Sequence, residues 1–490
     1  MQQLSGLDNT FLNMEAGGQL GHVGSLCFYD VSGLASGSLY QAMERTLNER
    51  MHLLPPYRRR LAEVPLNLDH PYWIEDPDFD LDFHLRQIAV PQPGDDEQLA
   101  AVVARIHGRA LDRARPLWEM YVIEGHQSGQ VALYTKIHHC TIDGVSGAEM
   151  MQVLLDRVPK GAVVAPPKKP WVPDRIPSSG EMMVRGLGGL VRAPDRIVRT
   201  AIRTVRTLTQ SNEALAAAVN TLGLDRIPIA GDLLRRRTGE VDADPIPQTP
   251  APRTPFNRSI TAHRRFSYFS MSLDEVKRVK SAAGTTLNDV VMAISAGALR
   301  RYLEEKRALP KDPLTAMVPV SVRSAEEKHE YTNRVGSILC TLATDVEDPL
   351  ERLQRIHEAM ASAKRASEAV PANLLQDWTQ VATPALLAQA ARIIARTKIL
   401  DRMNPPFNVV ISNVPGPRES LYCAGAELQT FYPVSAVAEG QGLNITVQSY
   451  RDHLDWGLIS CRELVPDLWR FKGLFAESLE ELTKAVALKA

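Results

Sequence analysis

The chain of 490 residues lacks the features of several large protein classes. It contains no apolar run of about 18 residues, so we expect no transmembrane helix. Residues 1–11 contain no basic region followed by an apolar core, so we expect no signal peptide. The net charge of −1 argues against a general nucleic-acid binder.

Cysteine is scarce, and its spacing excludes two further kinds of architecture. The five cysteines are Cys27, Cys140, Cys340, Cys423 and Cys461, and no two of them form a C-x-x-C pair. This spacing argues against a disulfide framework and against a cysteine-based zinc site. We therefore expect free thiols in a reducing cytosol. A hydrophobic content of 44% and a charged content of 23% are ordinary for a folded protein.

The most informative pattern is the run His138, His139, Cys140, Thr141, Ile142, Asp143 and Gly144. It follows an extended stretch at 131–137, which predicts a strand, and precedes a helical pattern at 145–155. Neighbouring side chains on a strand point to opposite faces, so we expect one histidine to be reactive and the other structural. Asp143 and Gly144 supply a turn, because glycine tolerates positive φ and aspartate bonds local backbone or holds a nearby cation.

The run has two other interpretations. Histidine and aspartate are good zinc ligands, but the two rings diverge on a strand and no third ligand cluster lies nearby in the sequence. The second alternative is a histidine pair whose hydrogen bonds are satisfied inside a protein core. The Asp-Gly at a fixed distance favours a functional site over both, and we expect no metal.

The chain divides into two halves, 1–159 and 265–490, which flank an unusual middle at 160–264. Strand patterns occur at 24–29, 131–137, 266–271, 314–322, 337–344 and 408–413, and a hairpin is expected at 443–460; helical patterns cover 39–49 and 97–111 and begin at 272, 286, 348, 384 and 466. Strands and helices mixed in this way predict α/β layers in each half.

The middle segment has proline-rich ends at 166–173 and 242–255. From Pro194 onward its pattern is helical, with one apolar and one basic face. The apolar face holds Ile197, Val198, Ala201, Ile202, Val205 and Leu208, and the basic face holds Arg196, Arg199, Arg203 and Arg206. Such a helix binds anionic membrane surfaces. A crossover helix that packs on the two halves, with its arginines in solvent, explains the pattern equally well.

Five separated segments resemble the bacterial wax ester synthase/acyl-CoA:diacylglycerol acyltransferase family. They are Leu4-Ser5-Gly6-Leu7-Asp8, Pro116-Leu117-Trp118-Glu119, the run from His138 to Gly144, Asn288-Asp289-Val290-Val291, and NVVISNVPGP at 408–417. The His-His-x-x-x-Asp-Gly motif alone marks only the broader coenzyme-A-dependent acyltransferase superfamily. The resemblance implies an α/β fold of two chloramphenicol-acetyltransferase-like domains, joined by a long crossover, with an active-site tunnel between them.

The resemblance also implies roles for the motif residues. His139 would be the general base in a direct acyl transfer, and His138 would support it from the other face of the strand. Asp143 would be structural and would pair with an arginine, for which Arg323 at the end of a predicted strand is a candidate. Gly144 would border the bound substrate.

Four other features of the sequence suggest structural or functional roles. Asn288 could position substrate, while Asp289 completes a capping box with Thr286. Trp118 could contact substrate or pack in the core or tunnel wall. Gly416 most simply sets a tight turn. The arginine run at 58–60 could meet a phosphate of coenzyme A or form a solvated surface patch.

The resulting expectation is an acyl-CoA-dependent O-acyltransferase that makes triacylglycerol from diacylglycerol, or wax ester from a long-chain alcohol. Acyl-CoA is then a co-substrate, and no cofactor is expected. Partners are the acyl acceptor and a membrane or lipid-droplet surface, without nucleic acid, in a cytoplasmic protein associated peripherally with the inner membrane or lipid inclusions. The alternatives are a condensation-type transferase that uses a carrier-protein donor, and a non-catalytic protein that binds lipid surfaces.

Overall fold

The computed structural model describes residues 1–34, 37–142, 150–167, 170–210, 250–321, 335–369 and 384–489. The helices are α1 (Gly6–Asn13), α2 (Leu39–Arg50), α3 (Leu81–His84), α4 (Asp96–His107), α5 (Ser179–Gln210), α6 (Leu273–Ala283), α7 (Leu287–Glu305), α8 (Pro349–Ala369), α9 (Pro384–Thr397) and α10 (Arg470–Lys489). The strands are β1 (Gln2–Gln3), β2 (His22–Asp30), β3 (Arg59–Ala62), β4 (Tyr72–Glu75), β5 (Leu85–Ala89), β6 (Trp118–Glu124), β7 (Val131–His138), β8 (Arg264–Ser272), β9 (Thr315–Ser321), β10 (Val335–Thr341), β11 (Val409–Val414), β12 (Tyr422–Cys423), β13 (Ala426–Val434), β14 (Leu443–Tyr450) and β15 (His453–Cys461).

Local sequence signals account for many of these boundaries. The side chain of Ser272 accepts a hydrogen bond from the backbone of Glu275 at the start of α6, and Gly284 ends that helix with a φ of 68°. The hairpin predicted at 443–460 is present as β14 and β15, which are joined by a turn of two residues, Arg451 and Asp452. These signals lie within a few residues of the boundary that they set.

The first sheet has the strand order β12-β13-β2-β7-β6-β5. Strand β7 pairs antiparallel with both β2 and β6, so the motif histidines lie at the end of a central strand. In this register His22 is opposite His138. A central strand is held by ladder hydrogen bonds on both edges, which fixes the position of the residues at its end.

The second sheet has the order β10-β9-β11-β14-β15-β8, and its strand β11 is parallel to both neighbours. Helices α6, α7, α8 and α10 cover this sheet, and their apolar residues form one buried cluster with it. A third sheet is small and has the order β1-β4-β3. The mixed α/β layers expected from the sequence are therefore present in both halves.

The second half of the chain contributes two strands to the first sheet. Strand β13 pairs antiparallel with β2, and β12 pairs with β13, so 422–434 belongs spatially to the first half. The backbone of β13 also approaches β15, where a Cβ on Gly457 would collide with the carbonyl oxygen of Pro433. The two halves of the sequence, divided at residue 265, therefore do not correspond one to one with the two sheets.

A shared core joins the two halves. Leu99 and Val103 of α4 pack in one buried cluster with Phe266 of β8, Tyr432 of β13 and Ile459 of β15. Burial of this apolar surface, at about 25 cal/mol per Å², holds the halves together in addition to the pairing of β13 with β2.

The middle helix begins earlier than its apolar pattern predicted. Helix α5 starts at Ser179, fifteen residues before Pro194, because Ser178 and Glu181 form a reciprocal capping box. Side chains 196–198 and 201–210 and residues 211–249 lie outside the described part, so the two faces predicted there are untested.

The first half of α5 packs on the protein through one face. Met182 is buried with Val64, and a Cβ on Gly186 would lie 2.6 Å from the Cγ1 atom of Val64. The other face carries Val184, Leu187 and Val191, which are 71%, 51% and 81% exposed. Within the described residues, no helix combines the length and apolar character needed to cross a bilayer.

Candidate active site

The two motif histidines lie where β7 leaves its sheet. The backbone N–H of His138 donates to the carbonyl oxygen of Leu117 at 2.9 Å, and that of His139 donates to Gly21 at 2.8 Å. The strand then turns, since the N–H of Thr141 donates back to the carbonyl of His138. These backbone hydrogen bonds fix the main chain of both histidines at the end of β7.

His138 is buried, and both of its ring nitrogens have partners. Its Nδ1 accepts a hydrogen bond from the backbone N–H of Cys140 at 3.1 Å. In this tautomer Nε2 carries the proton and donates it to Oε1 of Glu15, at 3.2 Å. The ring is 2% exposed. A neutral imidazole with both nitrogens engaged in this way holds structure and is poorly placed to accept a substrate proton.

Glu15 is the partner that fixes His138, and sequence reasoning missed it. Its carboxylate also accepts hydrogen bonds from the backbone N–H of Gly21 at 2.8 Å and from Arg113 at 2.7 Å. Burial by itself raises the pKa of Glu15, but the bonds from His138, Gly21 and Arg113 lower it to about 2. Arg113 and His138 are 98 and 123 residues away in sequence, so no local pattern marks this contact.

His139 has a different environment. Its ring stacks on Phe11 of α1, with 4.2 Å between ring centroids and 11° between ring planes. The residue is partly exposed, in contrast to its buried neighbour. Its role as the reactive member of the pair stays a prediction.

Three predicted site residues lie outside the described part of the chain. Asp143 and Gly144 fall in 143–149, and Arg323 falls in 322–334. The pairing of Asp143 with Arg323 and the substrate contact of Gly144 therefore stay predictions. Among the described residues, no group of three or more histidine, cysteine or carboxylate side chains is arranged to hold a metal ion.

Trp118 is a packed residue of the first half. It is 1% exposed, and its indole lies between the rings of Tyr57 and His84, with centroid distances of 4.4 and 4.5 Å. Its Nε1–H donates to the carbonyl of Tyr57 at 2.9 Å. With both ring faces covered and its polar atom satisfied, the side chain stabilises the core beneath the motif. The geometry favours packing over substrate contact.

The Asn288 and Asp289 pair opens α7. Asp289 accepts the backbone N–H of Thr286 at 2.8 Å while its own N–H donates to the hydroxyl of Thr286, which confirms the capping box. Asp289 also lies 2.7 Å from Nδ1 of His357. The side chain of Asn288 accepts a hydrogen bond from Nδ2 of Asn413 at 3.3 Å. Two sequence motifs 125 residues apart thus meet at the start of α7.

The turn after β11 requires its glycine. A Cβ on Gly416 would collide with the carbonyl oxygen of Ser449, and the N–H of Gly416 donates to the hydroxyl of Ser449 at 3.0 Å. This close approach fixes the turn against β14. The close approach to β14 therefore requires a glycine here, and the backbone bends just after it, at 418 and 419.

The arginine run at 58–60 is engaged by acidic side chains. Arg58 and Arg59 lie 3.7 and 3.1 Å from Glu75, and Arg60 lies 3.4 Å from Asp76. These ion pairs offset the positive charge of the cluster. The structure therefore favours the surface interpretation over a coenzyme A phosphate site.

Family models identify both halves of the chain. The catalytic-domain model of the wax ester synthase/diacylglycerol acyltransferase family matches residues 4–291, and its C-terminal-domain model matches residues 331–483. The chain belongs to this family. It is an acyltransferase of the diacylglycerol acyltransferase/wax ester synthase type.

Individual relatives agree over the full length. A Mycobacterium tuberculosis protein that carries the name diacylglycerol O-acyltransferase is 37% identical over 98% of this chain and 90% of its own length. The wax ester synthase/diacylglycerol acyltransferase from Marinobacter aquaeolei is 32% identical, with a TM-score of 0.68 over 99% of this chain and 100% of that one. The first condensation domain of the calcium-dependent antibiotic synthetase shares the fold, with a TM-score of 0.57 at 14% identity over 99% of this chain and 97% of that one.

Proposed function

We propose that this acyltransferase moves a fatty acyl group from acyl-CoA to the hydroxyl of diacylglycerol, with His139 as general base. The observation that carries the proposal is the contrast between the two motif histidines. His138 is 2% exposed, whereas His139 is partly exposed to solvent and stacks on Phe11. The names of the mycobacterial relatives support diacylglycerol as the acceptor.

The proposed step is a direct transfer. His139 takes the proton of the acceptor hydroxyl while that oxygen attacks the thioester carbonyl carbon. A carbon–oxygen bond forms, the carbon–sulfur bond breaks, and the departing thiolate takes the proton from the imidazolium to give free coenzyme A. A neutral imidazole can take up a proton from the acceptor and return it to the leaving group, and a base of this kind contributes roughly 10²–10⁴-fold.

A long-chain alcohol is the second proposed acceptor. It presents the same hydroxyl on an apolar body, so the role of the base is unchanged. The shape of the acceptor site then decides which of the two acceptors is used. The name of the Marinobacter aquaeolei protein, which includes wax ester synthesis, supports testing both acceptors side by side.

We also propose that the protein meets its apolar acceptor at a lipid surface through α5. Val184, Leu187 and Val191 form an exposed stripe at helical spacing, and the opposite face is anchored on the protein by Met182. Arg192 lies exposed on the same helix, where it suits anionic headgroups, while Arg199 is paired with Asp195.

The enzymatic proposal is tested with palmitoyl-CoA and either a diacylglycerol or hexadecanol, by measuring free coenzyme A and neutral-lipid product. We expect acceptor-dependent release from the wild type and a loss of at least about 100-fold in His139→Ala. His263→Ala is the matched control, because His263 is exposed and bound to Glu463.

Activity of folded His139→Ala within about tenfold of wild type would refute His139 as the base. No release from folded wild type with either acceptor would instead favour a carrier-protein donor or a non-catalytic role at lipid surfaces. The better acceptor decides between triacylglycerol and wax ester formation.

A further inference from the structure

One short segment near the start of the chain contacts both motif histidines. The ring of Phe11, on the last turn of α1, stacks on the ring of His139 with 4.2 Å between centroids and 11° between planes. Four residues further on, Oε1 of Glu15 lies 3.2 Å from Nε2 of His138. The two imidazoles are therefore each contacted by a side chain of the same segment, 11–15.

The position of Phe11 is set by the packing of α1 on the first half. Leu12 is buried in one apolar cluster with Leu117 and Cys140, which lie just before β6 and just after the histidine pair. Phe11 packs against this cluster, and the carbonyl oxygen of Leu12 accepts a hydrogen bond from Nη2 of Arg113 at 2.8 Å. The ring of Phe11 is therefore held by contacts other than its stack on the imidazole, which a side chain that orients another one requires.

The main chain of His139 is fixed from the same side. Its N–H donates to the carbonyl oxygen of Gly21, and the N–H of Gly21 donates to Glu15, both at 2.8 Å. A Cβ on Gly21 would lie 2.9 Å from the carbonyl oxygen of Phe11 and 2.8 Å from Nε2 of His138. These backbone contacts do not restrict rotation of the His139 ring about its own side-chain bonds, whereas the stack with Phe11 does.

A stacked ring suits the task of orienting a general base. A stack covers one face of an imidazole and does not occupy the nitrogens, which lie on the ring edge. A general base must bring one nitrogen within about 2.6–3.2 Å of the proton that it takes. Misplacement of a reacting group by about 1 Å costs up to roughly 100-fold in rate. A residue that limits the ring to one orientation therefore acts on the rate and not on substrate binding.

We propose that Phe11 is a positioning residue for His139, holding its imidazole in the orientation from which it takes the proton of the acceptor. Phe11 contacts neither substrate in this role and acts only through His139. The inference rests on the proposed role of His139 as base, and it adds the contribution that the first helix of the chain makes to that role.

The first test separates rate from binding. Phe11→Leu removes the ring and keeps an apolar side chain, whereas Phe11→Tyr keeps the ring. With palmitoyl-CoA varied against a diacylglycerol, we expect Phe11→Leu to lower kcat about 10- to 100-fold and to leave KM within about twofold of wild type. Phe11→Tyr should keep kcat within about threefold. Phe11→Met is a second variant without a ring, so the result does not depend on the folding of one protein.

Phe79→Leu is the matched control. Phe79 also stacks on a histidine, His84, with 5.5 Å between centroids and 11° between planes, and it is partly exposed like Phe11. Its histidine lies outside the motif, so we expect Phe79→Leu to leave kcat within about twofold of wild type. Circular dichroism of each variant measures what the lost packing costs in stability.

A double-mutant cycle tests whether Phe11 acts through His139. In the His139→Ala background, Phe11→Leu should change the residual rate by less than about twofold, because no imidazole remains to be oriented. A side chain that only supports the fold, or that contacts substrate, lowers the residual rate as much as it lowers the wild-type rate. A loss of equal size in the two backgrounds would therefore overturn the positioning role.

Three other results would also overturn it. They are a kcat within about twofold of wild type in a folded variant without the ring, a kcat of Phe11→Tyr as low as that of Phe11→Leu, and equal losses of kcat in Phe11→Leu and Phe79→Leu. Each of these leaves His139 as the proposed base. Activity retained by His139→Ala itself would instead refute the base, so the two failures are distinguishable.

Discussion

Replacement of Glu15 by glutamine tests whether the histidine motif is held by a buried carboxylate. Glutamine keeps the shape of the side chain but removes its charge. The carboxylate of Glu15 is 13% exposed and accepts bonds from Gly21, Arg113 and His138. Glu15→Gln therefore leaves Arg113 without its closest counter-charge and weakens the bond that orients His138.

The magnitude follows from the pKa of the carboxyl group. Its value of about 2, against an ordinary 4.5, corresponds to at most about 3.5 kcal/mol of folding free energy at neutral pH, at about 1.4 kcal/mol per pKa unit. The ring of His138 is neutral when Nδ1 accepts from Cys140, so Arg113 supplies the formal positive charge. We therefore expect Glu15→Gln to lower the free energy of unfolding by about 2 kcal/mol.

The pH dependence has a defined sign. Because the folded state lowers the pKa of Glu15, its contribution is fully present above pH 4.5 and is lost as the pH falls towards 2. The difference between wild type and Glu15→Gln should therefore shrink below about pH 5. Urea unfolding followed by circular dichroism, from pH 7 downward, measures both quantities.

Glu63→Gln is a matched control for the same arginine. Glu63 lies 3.7 Å from Arg113 but is 58% exposed, so its removal should cost less than about 0.5 kcal/mol. Equal costs for the two variants at pH 7, or parallel pH curves for Glu15→Gln and wild type, would refute the buried-carboxylate argument.

Two further predictions concern the lipid surface and the β14–β15 hairpin. The double variant Val184→Ser/Val191→Ser should weaken co-sedimentation with vesicles of phosphatidylglycerol and diacylglycerol roughly tenfold. Val163→Ser is the control and should leave co-sedimentation unchanged, because Val163 is fully exposed and lies outside α5. Unchanged co-sedimentation of the double variant would contradict the α5 surface. His453 lies 3.3 Å from the buried carboxylate of Asp455, which raises its pKa, so its stabilisation is present below pH 6.5 and lost as the pH rises through the folded pKa. Unfolding curves of wild type and His453→Asn should therefore converge at alkaline pH; a constant difference would exclude this pair.

The sequence by itself determined the local structure and the family. The cap residues of α6 and α7, the β14–β15 hairpin and the strand before the histidine motif were all predicted, because each signal lies within a few residues of its effect. The combination of five separated motifs indicated the acyltransferase family, and the family models confirm it. The start of α5 was missed although its capping box at Ser178 is present in the sequence.

Only the tertiary structure decided how these segments meet. Glu15 reaches His138 across 123 residues, Asn413 reaches Asn288 across 125, and β13 leaves its own half to pair with β2. Strand propensity predicts that a segment is extended, but the choice of partner strand depends on packing throughout the molecule. Side-chain partners distant in sequence are set by the global fold, because no local pattern encodes a contact that forms only after the chain has closed on itself.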